Sequence, residues 1–236
     1  LSMGSARIDV VSVDAVMARS SSAHVADVRG EKAWVAHHLP GSIDLAPDRF
    51  ASVEDAVEIA RRLGAAGISR EDALVLYDDG SGANVGRMVW LLDRVEHPHV
   101  TVLDGGITAW HAAGQPLESG AGASLPAARY DLDAAQAPYE NLATTQWILD
   151  SMGRADVTLV DTRSEEEYRG SKFSLQRTGH IPGAVWMEWS ETLVAADGAP
   201  PRFATAAELT PRLDALGITQ DREIVCYCQV GARSAQ

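Results

Sequence analysis

The stretch His24-Val25-Ala26-Asp27-Val28-Arg29 returns 134 residues later as Thr158-Leu159-Val160-Asp161-Thr162-Arg163, a short apolar run that ends in Asp-x-Arg. Two more matches keep the order. His38-Leu39-Pro40-Gly41-Ser42 returns as His180-Ile181-Pro182-Gly183-Ala184 at an offset of 142, and Val75-Leu76-Tyr77-Asp78-Asp79 returns as Ile224-Val225-Cys226-Tyr227-Cys228 at 149. Ordered self-similarity with a slowly growing offset marks a tandem duplication that has gained small loop insertions. On this alignment Asp79 stands in the place of Cys228. The stretch from Glu118 to Tyr139, with Ser119-Gly120-Ala121-Gly122-Ala123-Ser124, Pro126 and Pro138, is aperiodic and reads as a linker. The expected domains are therefore residues 6–117 and 140–236, joined by 118–139.

Each copy alternates strand and helix. Val25–Val28, Val157–Val160, Ala73–Tyr77 and Glu223–Tyr227 are apolar runs of strand length. Ser52-Val53-Glu54-Asp55 opens a helix to about Leu63, with Asp in the Glu place of a capping box. Thr205-Ala206-Ala207-Glu208 opens its counterpart, with Leu209, Leu213 and Leu216 on one face. Gly64 or Gly67, and Gly217, fit the ends of these helices. A further helix is expected over Asn84–Arg94 and a strand over Thr101–Leu103. Strand, helix and parallel strand in series give an α/β fold, a largely parallel sheet flanked by helices in each of two tandem domains.

The 236 residues include 20 Lys and Arg against 33 Asp and Glu, a formal net charge of −13. That balance disfavours nucleic acid and anionic membrane as partners. It requires any anion site to build its own positive potential. Leu1-Ser2-Met3-Gly4-Ser5 has neither a basic nor an apolar run, so no signal peptide is expected there. Cys226 and Cys228, one residue apart, make no disulfide framework, and a reducing, cytoplasmic setting is the simplest expectation.

Cys228-Gln229-Val230-Gly231-Ala232-Arg233-Ser234 directly follows an apolar strand. A strand that enters a Gly-bearing loop and then a helix turns successive N–H groups into one concavity, an anion site. A cysteine at its mouth favours the thiolate. Arg233 adds a fixed charge with a planar fork. Cys228 is thus the candidate nucleophile, and Cys226, inside the strand, is expected to be core.

These residues resemble the two-domain rhodanese-type sulfurtransferases, the thiosulfate or 3-mercaptopyruvate sulfurtransferase family. The matching residues are Asp27-Val28-Arg29, Asp161-Thr162-Arg163, His180-Ile181-Pro182-Gly183-Ala184, Leu103-Asp104-Gly105-Gly106 with Trp110, and the Cys228–Arg233 loop, spread over the whole chain. The resemblance implies an inactive first domain and a catalytic second one. It implies ping-pong transfer of sulfane sulfur from a small anionic donor, through a Cys228 persulfide, to a thiophilic acceptor such as cyanide or a thiol. The backbone amides of Gln229, Val230, Gly231, Ala232, Arg233 and Ser234 would hold the persulfide charge. Arg233, Arg163 and Arg169 are candidates for binding the donor; the alternative for Arg163 is an Asp161–Arg163 pair that staples strand to loop. His180 and His38 read as structural, Asp104 and Trp110 as loop-fixing and packing residues, and Tyr227 as core or rim. No cofactor is implied, no His/Cys cluster has metal-ligand spacing, and a monomer is expected.

Cys228 and Arg233 enclose a C-x4-R loop, whereas the phosphatases of similar fold resemble one another in C-x5-R. The shorter loop resembles the sulfurtransferases. Gln229 and Val230 match neither the basic pair of thiosulfate loops nor the Gly-Ser pair of mercaptopyruvate loops; Arg233 tips the expectation to thiosulfate. The counterpart of Trp110 would fall beyond Gln236, so the second copy is expected to lack the helix and strand after its loop. That expectation, with the inert first copy, keeps a non-catalytic rhodanese-like module as an alternative, beside 3-mercaptopyruvate as donor and a phosphatase.

Overall fold

The structure, a computed structural model, describes residues 8–19, 22–50, 55–132, 142–172 and 177–236. The chain divides into two compact units. One comprises Leu1–Pro138 with Ala195–Arg202, the other Tyr139–Val194 with Phe203–Gln236.

In the first unit the order is β1 (Asp9–Val11), α1 (Val13–Arg19), β2 (His24–Asp27), α2 (Glu31–Ala36), β3 (Ile43–Asp44), α3 (Ala56–Ala65), β4 (Leu74–Tyr77), α4 (Ala83–Asp93), β5 (Val100–Leu103) and α5 (Gly106–Ala112). The five strands form one parallel sheet in the order β1-β5-β4-β2-β3. Central β4 is buried at all four residues, as a parallel strand with both faces covered must be. Val75 and Tyr77 join Val16, Val25, Leu39, Leu103, Ile107 and Trp110 in one core cluster. Leu74 and Leu76, of opposite parity, point to the other face and are equally buried.

The chain after Tyr139 contains α6 (Thr145–Ser151), β6 (Val157–Asp161), α7 (Glu165–Arg169), β7 (Val185–Trp186), β8 (Leu193–Ala196), β9 (Ala199–Phe203), α8 (Ala206–Ala215) and β10 (Glu223–Tyr227), of which β8 in its second half and β9 up to Arg202 belong to the first unit and the rest to the second. The parallel sheet of the second unit runs β10-β6-β7, and β8 pairs with β9 in a separate two-stranded sheet. Leu209, Leu213 and Leu216 pack on Val160, Met187 and Ile218, as the helical spacing predicts. The two sheets share one pattern: β4-β2-β3 in the first corresponds to β10-β6-β7 in the second.

Several local expectations change. Ser52 lies outside the described residues, and Asp55 caps α3 by accepting the Glu58 N–H at 2.9 Å. The box on Thr205 and Glu208 forms as expected. Gly64 lies inside α3, and Gly67, at φ +88°, makes the left-handed exit. Gly64 has a different job: a Cβ there would come within 2.7 Å of the Ala128 carbonyl oxygen. The described part of 118–139 is laid along the first unit rather than left free. Glu118 makes a β-bridge with His38, the Ala128 N–H donates to the Gly64 carbonyl, and buried Tyr130 meets His97 Nδ1 through its hydroxyl. Short polar or apolar anchors of this kind carry no periodicity, which is why the stretch reads as a linker.

Candidate active site

Strand pairing decides which residue of the first copy corresponds to Cys228. Asp27 pairs with Tyr77 across β2 and β4, and Asp161 pairs with Tyr227 across β6 and β10. Each tyrosine hydroxyl accepts a backbone N–H at 3.1 Å, from Leu39 and Ile181 respectively. Each tyrosine carbonyl accepts an N–H at 3.0 Å, from Val28 and Thr162. Arg29 and Arg163 lie over these rings at 5.7 Å. Tyr77 therefore corresponds to Tyr227, and Asp78, not Asp79, stands where Cys228 stands. The sequence alignment is one residue out because it matches apolar residues regardless of face, while a slip of one residue turns every strand side chain over.

Asp78 and Cys228 are treated alike by their loops. Asp78 is 3% exposed and accepts the Gly80 N–H at 2.8 Å and the Val85 N–H at 3.4 Å. Burial raises its pKa, the Gly80 amide opposes that, and the Asp79 charge adds to it. Cys228 Sγ accepts the Gly231 N–H at 3.1 Å. Partial burial works against its ionisation, but the Ser234 side chain and N–H and the Val230 and Gly231 N–H groups outweigh it, so the thiol lies below its ordinary range. Gly231 has φ +83°, a conformation that turns its N–H toward the sulfur and suits glycine. Residues 232–234 form a turn. Loop amides supply positive potential at Cys228.

The three candidate arginines are each engaged. Arg163 places Nε and Nη2 on Asp161 at 2.9 and 2.6 Å and gives a further bond from Nη2 to the Gly179 carbonyl at 2.8 Å. Arg29 grips Asp27 in the same way in the first copy. Arg169 Nε bonds Glu165 at 2.7 Å on the exposed face of α7. Arg233 places Nη1 and Nη2 on the two oxygens of Glu167, at 2.6 and 3.1 Å. That fork, which outweighs the opposing effect of burial, pushes the Glu167 carboxyl down to about 2. The loop brings Cys228, Gly231, Arg233 and Ser234 together. Gln229 and Val230 face outward, Val230 at 75% exposure, and Ala232 is half-buried.

The rhodanese-like domain family matches residues 12–113 and 144–236. The chain belongs to the rhodanese-like family. It is 33% identical over 216 residues to the thiosulfate sulfurtransferase of Azotobacter vinelandii, covering 88% of this chain and 77% of that one. It is 30% identical over 220 residues to a thiosulfate sulfurtransferase of Pseudomonas aeruginosa, with the same coverage. Among solved structures, the 3-mercaptopyruvate sulfotransferase SseA from Escherichia coli shares the fold at a TM-score of 0.81 and 19% identity, over 97% of this chain and 91% of that one.

Within this rhodanese-like chain the remaining candidates sort by contact. His180 donates from Nδ1 to the Tyr168 carbonyl at 2.9 Å and stacks on its ring at 3.8 Å. His38 makes the equivalent bond to Trp34 in the copy that has no cysteine, so the motif holds a loop in both. The Asp104 N–H donates to Val11, and buried Trp110 donates to the Pro116 carbonyl. Tyr227 is half-buried and anchors Ile181. Cys226 is exposed, not core. Glu167 is the residue sequence reasoning missed. Its signal was the Ser164-x-x-Glu167 capping box, which the structure contains; its pairing with Arg233 had none. Among the described residues no three His, Cys, Asp or Glu gather as metal ligands, and no helix is long and apolar enough to cross a membrane.

Proposed function

We propose that this chain moves sulfane sulfur from thiosulfate to a thiophilic acceptor through a persulfide on Cys228. The class rests on its family and relatives: the chain is a sulfurtransferase. Thiosulfate as the donor, and the roles of individual residues, are our reading. The observation that carries it is the Cys228 sulfur inside a cradle of amide donors, with a thiol more acidic than usual.

The Cys228 thiolate attacks the outer sulfur of thiosulfate. A new S–S bond forms, the old one breaks, and sulfite leaves with its electron pair. The terminal persulfide sulfur then carries the negative charge, and the Val230, Gly231 and Ser234 groups that favour the thiolate favour it too. A nucleophilic acceptor takes the outer sulfur, and Cys228 returns as thiolate. Arg169 is the arginine best able to turn to the donor, because its exposed i,i+4 pair with Glu165 is worth only about 0.3–0.5 kcal/mol. Arg163, held by Asp161 and Gly179, acts as a staple, and Arg233 supports the loop. Asp78 offers no sulfur nucleophile, so the first copy is inactive in this reading.

The proposed working unit is the monomer, since every group on Cys228 comes from one chain, and a reducing cytoplasm suits its free thiol. Intact mass before and after thiosulfate tests the proposal. A gain of one sulfur atom, removed by cyanide, is expected. An unchanged mass with a still-reactive thiol would count against thiosulfate, and the same measurement with 3-mercaptopyruvate then tests the other donor.

A further inference from the structure

Glu167 lies at the third position of α7, with its side chain 5% exposed. Its Oε2 accepts the Ser164 N–H at 3.1 Å, which closes the capping box. A capping box needs no more than that. Here the same carboxylate also takes both Nη groups of Arg233, 66 residues away, in a two-point fork. Arg233 in turn lies on the loop between Ala232 and Ser234, two residues from Gly231, whose N–H meets the Cys228 sulfur at 3.1 Å. The end-on fork of its two Nη groups is spent on Glu167, so that fork is not turned to a donor molecule.

We infer that Glu167 is a positioning residue of the sulfur site: by clamping Arg233 to α7 it holds the Gln229–Ser234 loop closed around Cys228 Sγ. This rests on the reading of Cys228 as the sulfur-accepting residue. The other charged or titratable groups bearing on the pair are Glu166 and Arg163, next to Glu167, and Cys226, next to Cys228.

The sign of one effect separates a clamp from a mere counter-charge. A carboxylate acting only through its charge disfavours a nearby thiolate, so its removal would ease ionisation of Cys228. A clamp acts the other way, because its loss lets the amide donors drift from the sulfur.

The test measures alkylation of Cys228 by iodoacetamide against pH, in the full chain with Cys226→Ser so that one thiol remains. The clamp predicts that Glu167→Ala moves the inflection up by about one pH unit and slows alkylation at pH 7 about tenfold. Glu167→Gln, which keeps one acceptor for Arg233 and the cap, should fall between. It also serves if Glu167→Ala does not fold. In an Arg233→Ala background Glu167→Gln should add less than twofold. A downward move of the inflection, an unchanged profile in the folded variants, or a full additional loss without Arg233 would overturn the proposal. Alkylation needs no sulfur donor, so the result stands apart from persulfide formation: a chain that takes up no sulfur but shows the predicted shift refutes the function proposed above and leaves the clamp in place.

Discussion

Asp78 and Cys228 occupy one position in two copies of a fold. Each follows the tyrosine whose hydroxyl accepts an N–H from the segment after α2 or α7, and each presents its side chain to amides of the loop that comes next. In one copy the anion is built in as a carboxylate. In the other it is a thiol whose ionised form the loop favours and which, in the function proposed above, takes up and releases sulfur.

The nucleophile is the first consequence. Cys228→Ser should abolish persulfide formation, because a hydroxyl neither ionises at neutral pH nor carries sulfane sulfur. Cys226→Ser should keep activity within about twofold and change stability by no more than about 0.5 kcal/mol, as exposed sites do. Transfer kinetics with thiosulfate and cyanide, and urea unfolding, check both. Loss of activity in Cys226→Ser alone would move the site.

Asp78 should make the first unit's stability depend on pH in an unusual direction. Its folded pKa is raised, so the unfolded chain gives up the proton more readily than the folded one. Stability contributed by the protonated form is present below the ordinary value of 3.8 and is lost as pH rises through the folded value. Asp78→Asn cannot ionise. Relative to wild type it should gain stability between pH 4 and neutrality, read as urea midpoints across that range. A constant difference at all pH values would refute the account.

Glu167 has the opposite sign. Its folded pKa of about 2, against an ordinary 4.5, gives stability that is complete above 4.5 and disappears as pH falls toward 2. Arg233→Ala should flatten that part of the acid unfolding curve while leaving the shape above pH 5 unchanged. Tryptophan fluorescence along an acid titration of both proteins is the measurement.

Arg163 and Arg169 should separate stability from donor binding. Arg163→Ala leaves buried Asp161 without its partner, a loss of about 3–5 kcal/mol. Arg169→Ala removes an exposed pair and should hardly alter the melting temperature, yet raise KM for thiosulfate about tenfold, the weight of one charge-assisted bond. An Arg169→Ala enzyme with wild-type KM would show that the donor is held by the loop amides alone.

The amino-acid sequence by itself determined the duplication, the alternation of strand and helix, and the cysteine loop after β10. These are legible because they are local: apolar runs set strands, S/T-x-x-E sets helix starts, and Cys228 to Arg233 lie within six residues. Tertiary structure alone decided the rest. Whether Asp78 or Asp79 matches Cys228 turns on a one-residue register, fixed by Tyr77 and Tyr227 hydroxyls meeting backbone from another loop. And Arg233, read along the chain as a free charge for a donor, meets Glu167 because α7 and the sulfur loop follow neighbouring parallel strands, β6 and β10, whose ends folding brings together.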